Sequence, residues 1–109
     1  MRVLLDEHLN WRLSRYLAED LEAESVGWQG WKGKKNGELL TLMEAAGFEV
    51  LITTDKGIPH QQNLAKYKVA VVALQAKSNR LEDTAPLVEA YPETIRSAPP
   101  GKATSIPPS

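Results

Sequence analysis

The sequence contains no cysteine, which excludes disulfides, thiolate chemistry and cysteine-ligated zinc in one step. It has no long hydrophobic run either. The longest is the six residues 69 to 74, far short of a membrane span. No surplus of either charge stands out, since 13 Lys and Arg face 14 Asp and Glu for a net charge of −1. Any attraction for phosphate must therefore come from a local patch or from metal ions. The opening residues lack a signal-peptide pattern because acids arrive at Asp6 and Glu7, so a cytoplasmic protein without a membrane association is the default expectation. There are no internal repeats.

What is present is a chain of 109 residues with 42% hydrophobic and 25% charged residues, enough for one globular domain and too little for two. Its organising stretch is 50 to 56, Val-Leu-Ile-Thr-Thr-Asp-Lys. A continuous aliphatic and β-branched run reads as a strand buried on both faces, and Asp55 follows where such a strand ends. The opening repeats the pattern, with Val3, Leu4 and Leu5 stopping at Asp6. In an open parallel sheet these two carboxylates face each other across the crevice at the carboxyl ends of the strands.

Between the two strands, Asn10 predicts an N-cap for a helix through Leu13, Tyr16 and Leu17, and 22 to 26 predicts a weakly apolar edge strand. Residues 27 to 35 hold three glycines, two tryptophans and three lysines, a composition that predicts a loop with a task or something to cover. Asn36 is read as the cap of a second helix with the apolar stripe Leu39, Leu40, Met43 and Ala46, ended by Gly47. A loop over 57 to 67, with at most a short helix around 61 to 65, leads to the interior strand 69 to 74. The last helix is expected to start nearer Asp83 than Arg80, because Pro86 belongs in a first turn, and Pro92 is expected to close it. Five of the seven prolines lie in residues 92 to 109. The expected division is thus a domain over 1–92 and an extended or disordered Pro-rich tail over 93–109. Alternation of strands and helices with right-handed crossovers predicts an α/β/α three-layer sandwich around a parallel sheet of about four strands in the order 2-1-3-4.

Asp6, Glu38 and Asp55 form the candidate site. Carboxylates from two strand ends and one helix start repel one another unless a cation neutralises them, and all-oxygen ligation suits Mg²⁺ or Mn²⁺. Two such ions would clamp a phosphodiester and activate water. The plainer alternative is that each strand-end aspartate caps the next helix, while Glu38 complements a helix dipole. Glu7 is either a fourth ligand or a solvated residue, the latter being preferred. His8 and His60 on the same rim either touch phosphate or a leaving group or are satisfied loop residues, again the preferred reading. Lys56 either contacts phosphate or offsets the local negative charge. Lys32, Lys34 and Lys35 border the acids and would hold an RNA backbone, or they simply keep the loop soluble. Trp28 and Trp31 either stack on bases or cover the sheet, covering being preferred. Asn79 either ligates a metal through its amide oxygen or caps the last helix, the cap being preferred. Trp11 on the first helix marks a candidate interface, including that of a homodimer.

The segments Val-Leu-Leu-Asp-Glu-His-Leu, Gly-Trp-Lys-Gly-Lys-Lys-Asn-Gly-Glu-Leu-Leu, Val-Leu-Ile-Thr-Thr-Asp-Lys, Gln-Gln-Asn-Leu and Ser-Asn-Arg-Leu resemble, in that order, those of the small PIN-like proteins. The resemblance covers residues 1 to about 91. It implies a PIN-like sandwich, Mg²⁺-dependent cleavage of RNA, and the role of a toxin paired with an antitoxin protein. Carried over residue by residue, the acidic positions fall on Asp6, Glu38 and Asp55. Two positions depart from the pattern. Gly57 and Ile58 stand where many relatives have an acid and a phenylalanine, and Gly37 stands where many have an acid, so that Glu38 substitutes from one position on. A catalytically silent module that binds RNA or protein is the alternative from another class. A receiver-type phospho-acceptor at Asp55 lacks its later strand-end lysine, because Gln75 stands there.

Overall fold

The computed structural model describes residues 1–58 and 63–108. Its framework is one five-stranded, wholly parallel sheet formed by β1 (Arg2–Leu5), β2 (Glu22–Ser25), β3 (Val50–Thr53), β4 (Ala70–Leu74) and β5 (Ala103–Ile106), in the order β2-β1-β3-β4-β5. The first four strands follow the expected order, and β5 is an addition. β1, β3 and β4 are central because they are apolar at nearly every position, and burial on both faces requires that. Leu4, Leu51 and Val71 belong to a core with α1 (Asn36–Ala45), which contributes Leu39, Leu40 and Met43. Leu5, Ile52 and Val72 belong to a second core with Leu13, Ala85, Val88 and Ile95. These come from a 3₁₀ helix (Trp11–Tyr16), α2 (Leu81–Ala90) and α3 (Pro92–Arg96). The result is an α/β fold with a buried parallel sheet, compatible with the expected three layers.

Several local features differ from expectation. The first helix is a 3₁₀ helix of six residues. Asn10 does cap it, its side chain accepting from the Arg12 N–H at 2.9 Å, but Leu17 is already extended to feed β2, leaving only one or two turns of tight i→i+3 geometry. In α1, Lys35 occupies the cap position and Asn36 is the first helical residue. Gly47 lies just beyond the C-cap with φ +85°, the left-handed conformation that glycine adopts without a Cβ penalty. Arg2 reinforces this end. Its guanidinium donates to the Ala46 carbonyl, pairs with Glu24 at 3.2 Å and lies 4.1 Å from the Phe48 ring centroid. A cation at a helix C-terminus is favoured by the helix dipole.

α2 starts at Leu81, ahead of the expected start, with Pro86 as its sixth residue. Ser78 makes the earlier start possible by accepting from the Arg80 N–H at 3.1 Å and donating to Asp83 at 2.5 Å. Thr84 closes the first turn by donating through both its N–H and its hydroxyl to the Arg80 carbonyl. Pro92 does end α2, and it also opens α3 at a first helical position, where a missing N–H costs nothing.

The largest correction concerns the expected tail, whose described residues, 93–108, are neither extended nor disordered beside the domain but part of it. Ile95 and Ile106 are fully buried, and β5 pairs with β4 from Val71↔Ala103 to Leu74↔Ile106. Gly101, at φ +77°, turns the chain into the strand while its N–H donates to the Val69 carbonyl at 2.8 Å. The prolines at 99, 100, 107 and 108 flank the strand and do not interrupt it, so every residue of β5 keeps its ladder donor. Among the described residues no helix is long and apolar enough to cross a membrane.

Candidate functional site

Register brings the ends of β1 and β3 side by side, with Leu5 opposite Ile52. Pairing continues one step further, where the Asp6 N–H donates to the Ile52 carbonyl at 3.0 Å. Strand alternation then puts Asp6 and Thr53 on the face that carries α1. Asp6 is only 6% exposed. One of its carboxylate oxygens accepts from the Glu7 N–H at 2.9 Å, and the other accepts from the Thr53 hydroxyl at 2.7 Å. The same hydroxyl oxygen accepts from the Asp55 N–H at 2.9 Å. Thr53 is fully buried and thus joins the two strand ends. Sequence reasoning does not single it out, although the Thr-Thr-Asp ending of β3 carries the signal.

Asp55 itself is exposed, and its Oδ1 accepts from the Gly57 N–H at 2.7 Å in a turn of the Asx kind. Glu38 lies in the first turn of α1, exposed, with Oε1 3.9 Å from Lys34 Nζ. Thr53 therefore links the Asp6 carboxylate to the Asp55 backbone, whereas the Asp55 carboxylate turns to the Gly57 N–H and Glu38 lies beside Lys34. Among the described residues no three His, Asp or Glu side chains are grouped so as to hold a cation. The donor set still fits a hard, strongly hydrated ion. Mg²⁺ keeps several waters and commonly takes only one or two carboxylates, and each Asp6 oxygen, with one hydrogen bond, retains acceptor capacity.

Lys32, Lys35 and Lys56 are exposed around this rim, while Lys34 is shared with Glu38. His8 is exposed as well, and His60 lies outside the described residues. Glu7 is more than a solvated acid, since its carboxylate accepts from the Gly33 N–H at 3.3 Å and moors the 27–35 loop to the end of β1. The two loop tryptophans divide their roles. Trp31 does cover, packing edge-on against Phe48 with ring centroids 6.0 Å apart. Trp28 is instead 79% exposed. Asn79 does not cap α2, whose cap is Arg80. Its side-chain oxygen accepts from the Thr54 hydroxyl and so links the end of β3 to the loop after β4. Compared with protein-family models, with curated proteins and with solved structures, the chain matches none of them.

Proposed function

We propose that the chain is a Mg²⁺- or Mn²⁺-dependent endoribonuclease of PIN-like fold, with Asp6 and Asp55 as its metal-holding carboxylates and Glu38 at the border of the site. The observation that carries this reading is the link from the Asp6 carboxylate to the Asp55 backbone through the buried Thr53 hydroxyl, at the carboxyl ends of two adjacent central strands, where parallel sheets bind ligands. A bound divalent cation supplies Lewis acidity to a phosphoryl oxygen and activates water. The chain's own contribution is orientation. Thr53 and the Glu7 N–H hold the Asp6 carboxylate in one rotamer, and the exposed Lys32, Lys35 and Lys56 give the RNA backbone positive charge on either side. Lys34 serves the same end when it leaves Glu38. By resemblance, the biological setting is that of a cytoplasmic toxin held by an antitoxin protein.

A second reading has its own observation. Both Asp6 oxygens and the Glu38 carboxylate already have protein partners, as expected of a silent module that retains the pocket only for its shape. Calorimetric titration of Mn²⁺ into the wild type and Asp55→Asn, with an RNA cleavage assay on the same samples, separates the two. The nuclease reading expects binding and cleavage that are both lost in Asp55→Asn. Cation binding without cleavage of any RNA, or no cation binding at all, leaves the silent module.

A further inference from the structure

A groove of about 860 Å³ lies between the 3₁₀ helix and the exposed edge of β2, and Glu7, the neighbour of Asp6, is among the residues that line it. Two of its wall residues are tryptophans with their rings in solvent, Trp11 at 52% and Trp28 at 79% exposure. Trp28 is not the tip of a slack loop. Its N–H donates to the Ser25 hydroxyl at 3.1 Å, the Gln29 N–H to the Ser25 carbonyl at 3.2 Å, and the Gly30 N–H to the Gly27 carbonyl at 3.1 Å. These bonds order the backbone that carries Trp28, and two exposed indoles lining one groove form an apolar surface beyond the single exposed residue that needs no explanation.

Beside these rings, cations outnumber the carboxylates that lack a cationic partner among the described residues. Glu24 is paired with Arg2 at 3.2 Å and accepts from Gln29 at 2.5 Å, whereas Glu7, bonded to the neutral Gly33 N–H, keeps its negative charge. Arg12 and Arg15, by contrast, lie 4.7 Å and 5.1 Å from the Trp11 ring centroid, and among the described residues neither pairs with a carboxylate. The same holds for Lys32, whose side chain lies over Gly27 on the groove wall. Exposed indoles alternating with uncompensated cations fit a ligand that offers flat faces and a negative backbone. That is the chemistry of unpaired nucleotides, whose bases stack on aromatic rings while phosphates follow the cations.

We infer that this groove binds single-stranded RNA, with Trp28 and Trp11 as stacking platforms and Arg12, Arg15 and Lys32 as phosphate contacts, and leads it toward Asp6. The inference deepens the nuclease reading and rests on it for the choice of RNA. A duplex is a poor fit, because its bases are stacked on each other and closed to the indoles.

The test is fluorescence anisotropy of a labelled, unstructured oligouridine titrated with the full chain in EDTA, where binding is read without cleavage. Trp28→Ala is expected to weaken binding roughly tenfold, Trp11→Ala by a similar factor, and Trp28→Phe much less, as base stacking on an aromatic ring requires. Arg12→Gln should flatten the salt dependence, since each phosphate contact on a single strand contributes about 0.7 to the logarithmic slope. Unchanged affinity in both Trp→Ala variants, tighter binding of a duplex, or competition by an acidic peptide alone overturns the inference. Its failure is separable from that of the nuclease reading by adding Asp55→Asn. Oligouridine binding that persists while even the wild type cleaves no RNA leaves the groove standing without the nuclease. Cleavage that needs Asp55 but ignores both tryptophans leaves the nuclease without the groove.

Discussion

The ends of β1 and β3 begin from the same sequence signal, an aliphatic run followed by aspartate, and arrive at opposite environments. Asp6 is 6% exposed and holds hydrogen bonds through both carboxylate oxygens. Asp55 is exposed and, among the described residues, its carboxylate holds one local bond, to the Gly57 N–H. The first is a strut as well as a candidate ligand, and the second is free to serve a ligand alone. A residue's stability role and its chemical role are thus distributed unequally across one site, with Thr53 as the joint between them.

The largest expected effect lies on the strut. Asp6→Ala leaves the Glu7 N–H and the Thr53 hydroxyl without their acceptors in a buried place, and should lower stability by about 2–4 kcal/mol. Asp55→Ala, at an exposed position with a single turn bond, should lower it by less than about 1 kcal/mol. Urea unfolding of the two variants measures the difference, and equal losses would abolish the contrast. Thr53→Val tests the joint, for it keeps the shape and removes the hydroxyl that serves both Asp6 and the Asp55 N–H. The expected loss is about 1–3 kcal/mol. Thr53→Ser keeps the hydroxyl and loses one methyl, about 0.8 kcal/mol. If valine is tolerated as well as serine, the hydroxyl does not hold the two ends together.

The same contrast explains how much of the molecule is legible in its residues. Unbroken aliphatic runs make β1, β3 and β4 legible, along with their adjacency, because only interior parallel strands need to be apolar on both sides. The helix stripe 39, 40, 43 with Gly47 after it is legible for a similar reason, since period and terminator agree. β5 is not. Ala-Thr-Ser-Ile offers one strongly apolar residue among prolines, and its place in the sheet comes from pairing with β4 and from burial of Ile106, which no local pattern encodes. At the site, spacing indicates Asp6 and Asp55 as neighbours, but not that one is buried and the other exposed. Burial there depends on Thr53, a residue of ordinary type whose role emerges only when two strands distant in sequence are in register. Trp28 departs from expectation because a tryptophan beside a sheet edge ordinarily covers it, as Trp31 does.

The smallest expected effect separates burial from commitment, the two properties that Asp6 combines. Asp20 is committed without being buried. Arg96 of α3 donates to its two oxygens at 2.7 Å and 2.8 Å, and these hydrogen bonds hold its carboxyl down at about 2 from the ordinary 3.8. Because the folded value is the lower one, the pair stabilises the fold fully above pH 3.8, less as the pH falls toward 2, and not at all below that. The side chains are 35% and 55% exposed, so water and salt screen the interaction. Asp20→Asn should therefore shift the urea midpoint slightly at neutral pH, less in high salt, and not at all once the acid limb is passed. Should the shift instead match that of Asp6→Ala, hydrogen-bond commitment rather than burial would decide which aspartates are struts. The buried environment of Asp6 would then no longer be what distinguishes it from Asp55.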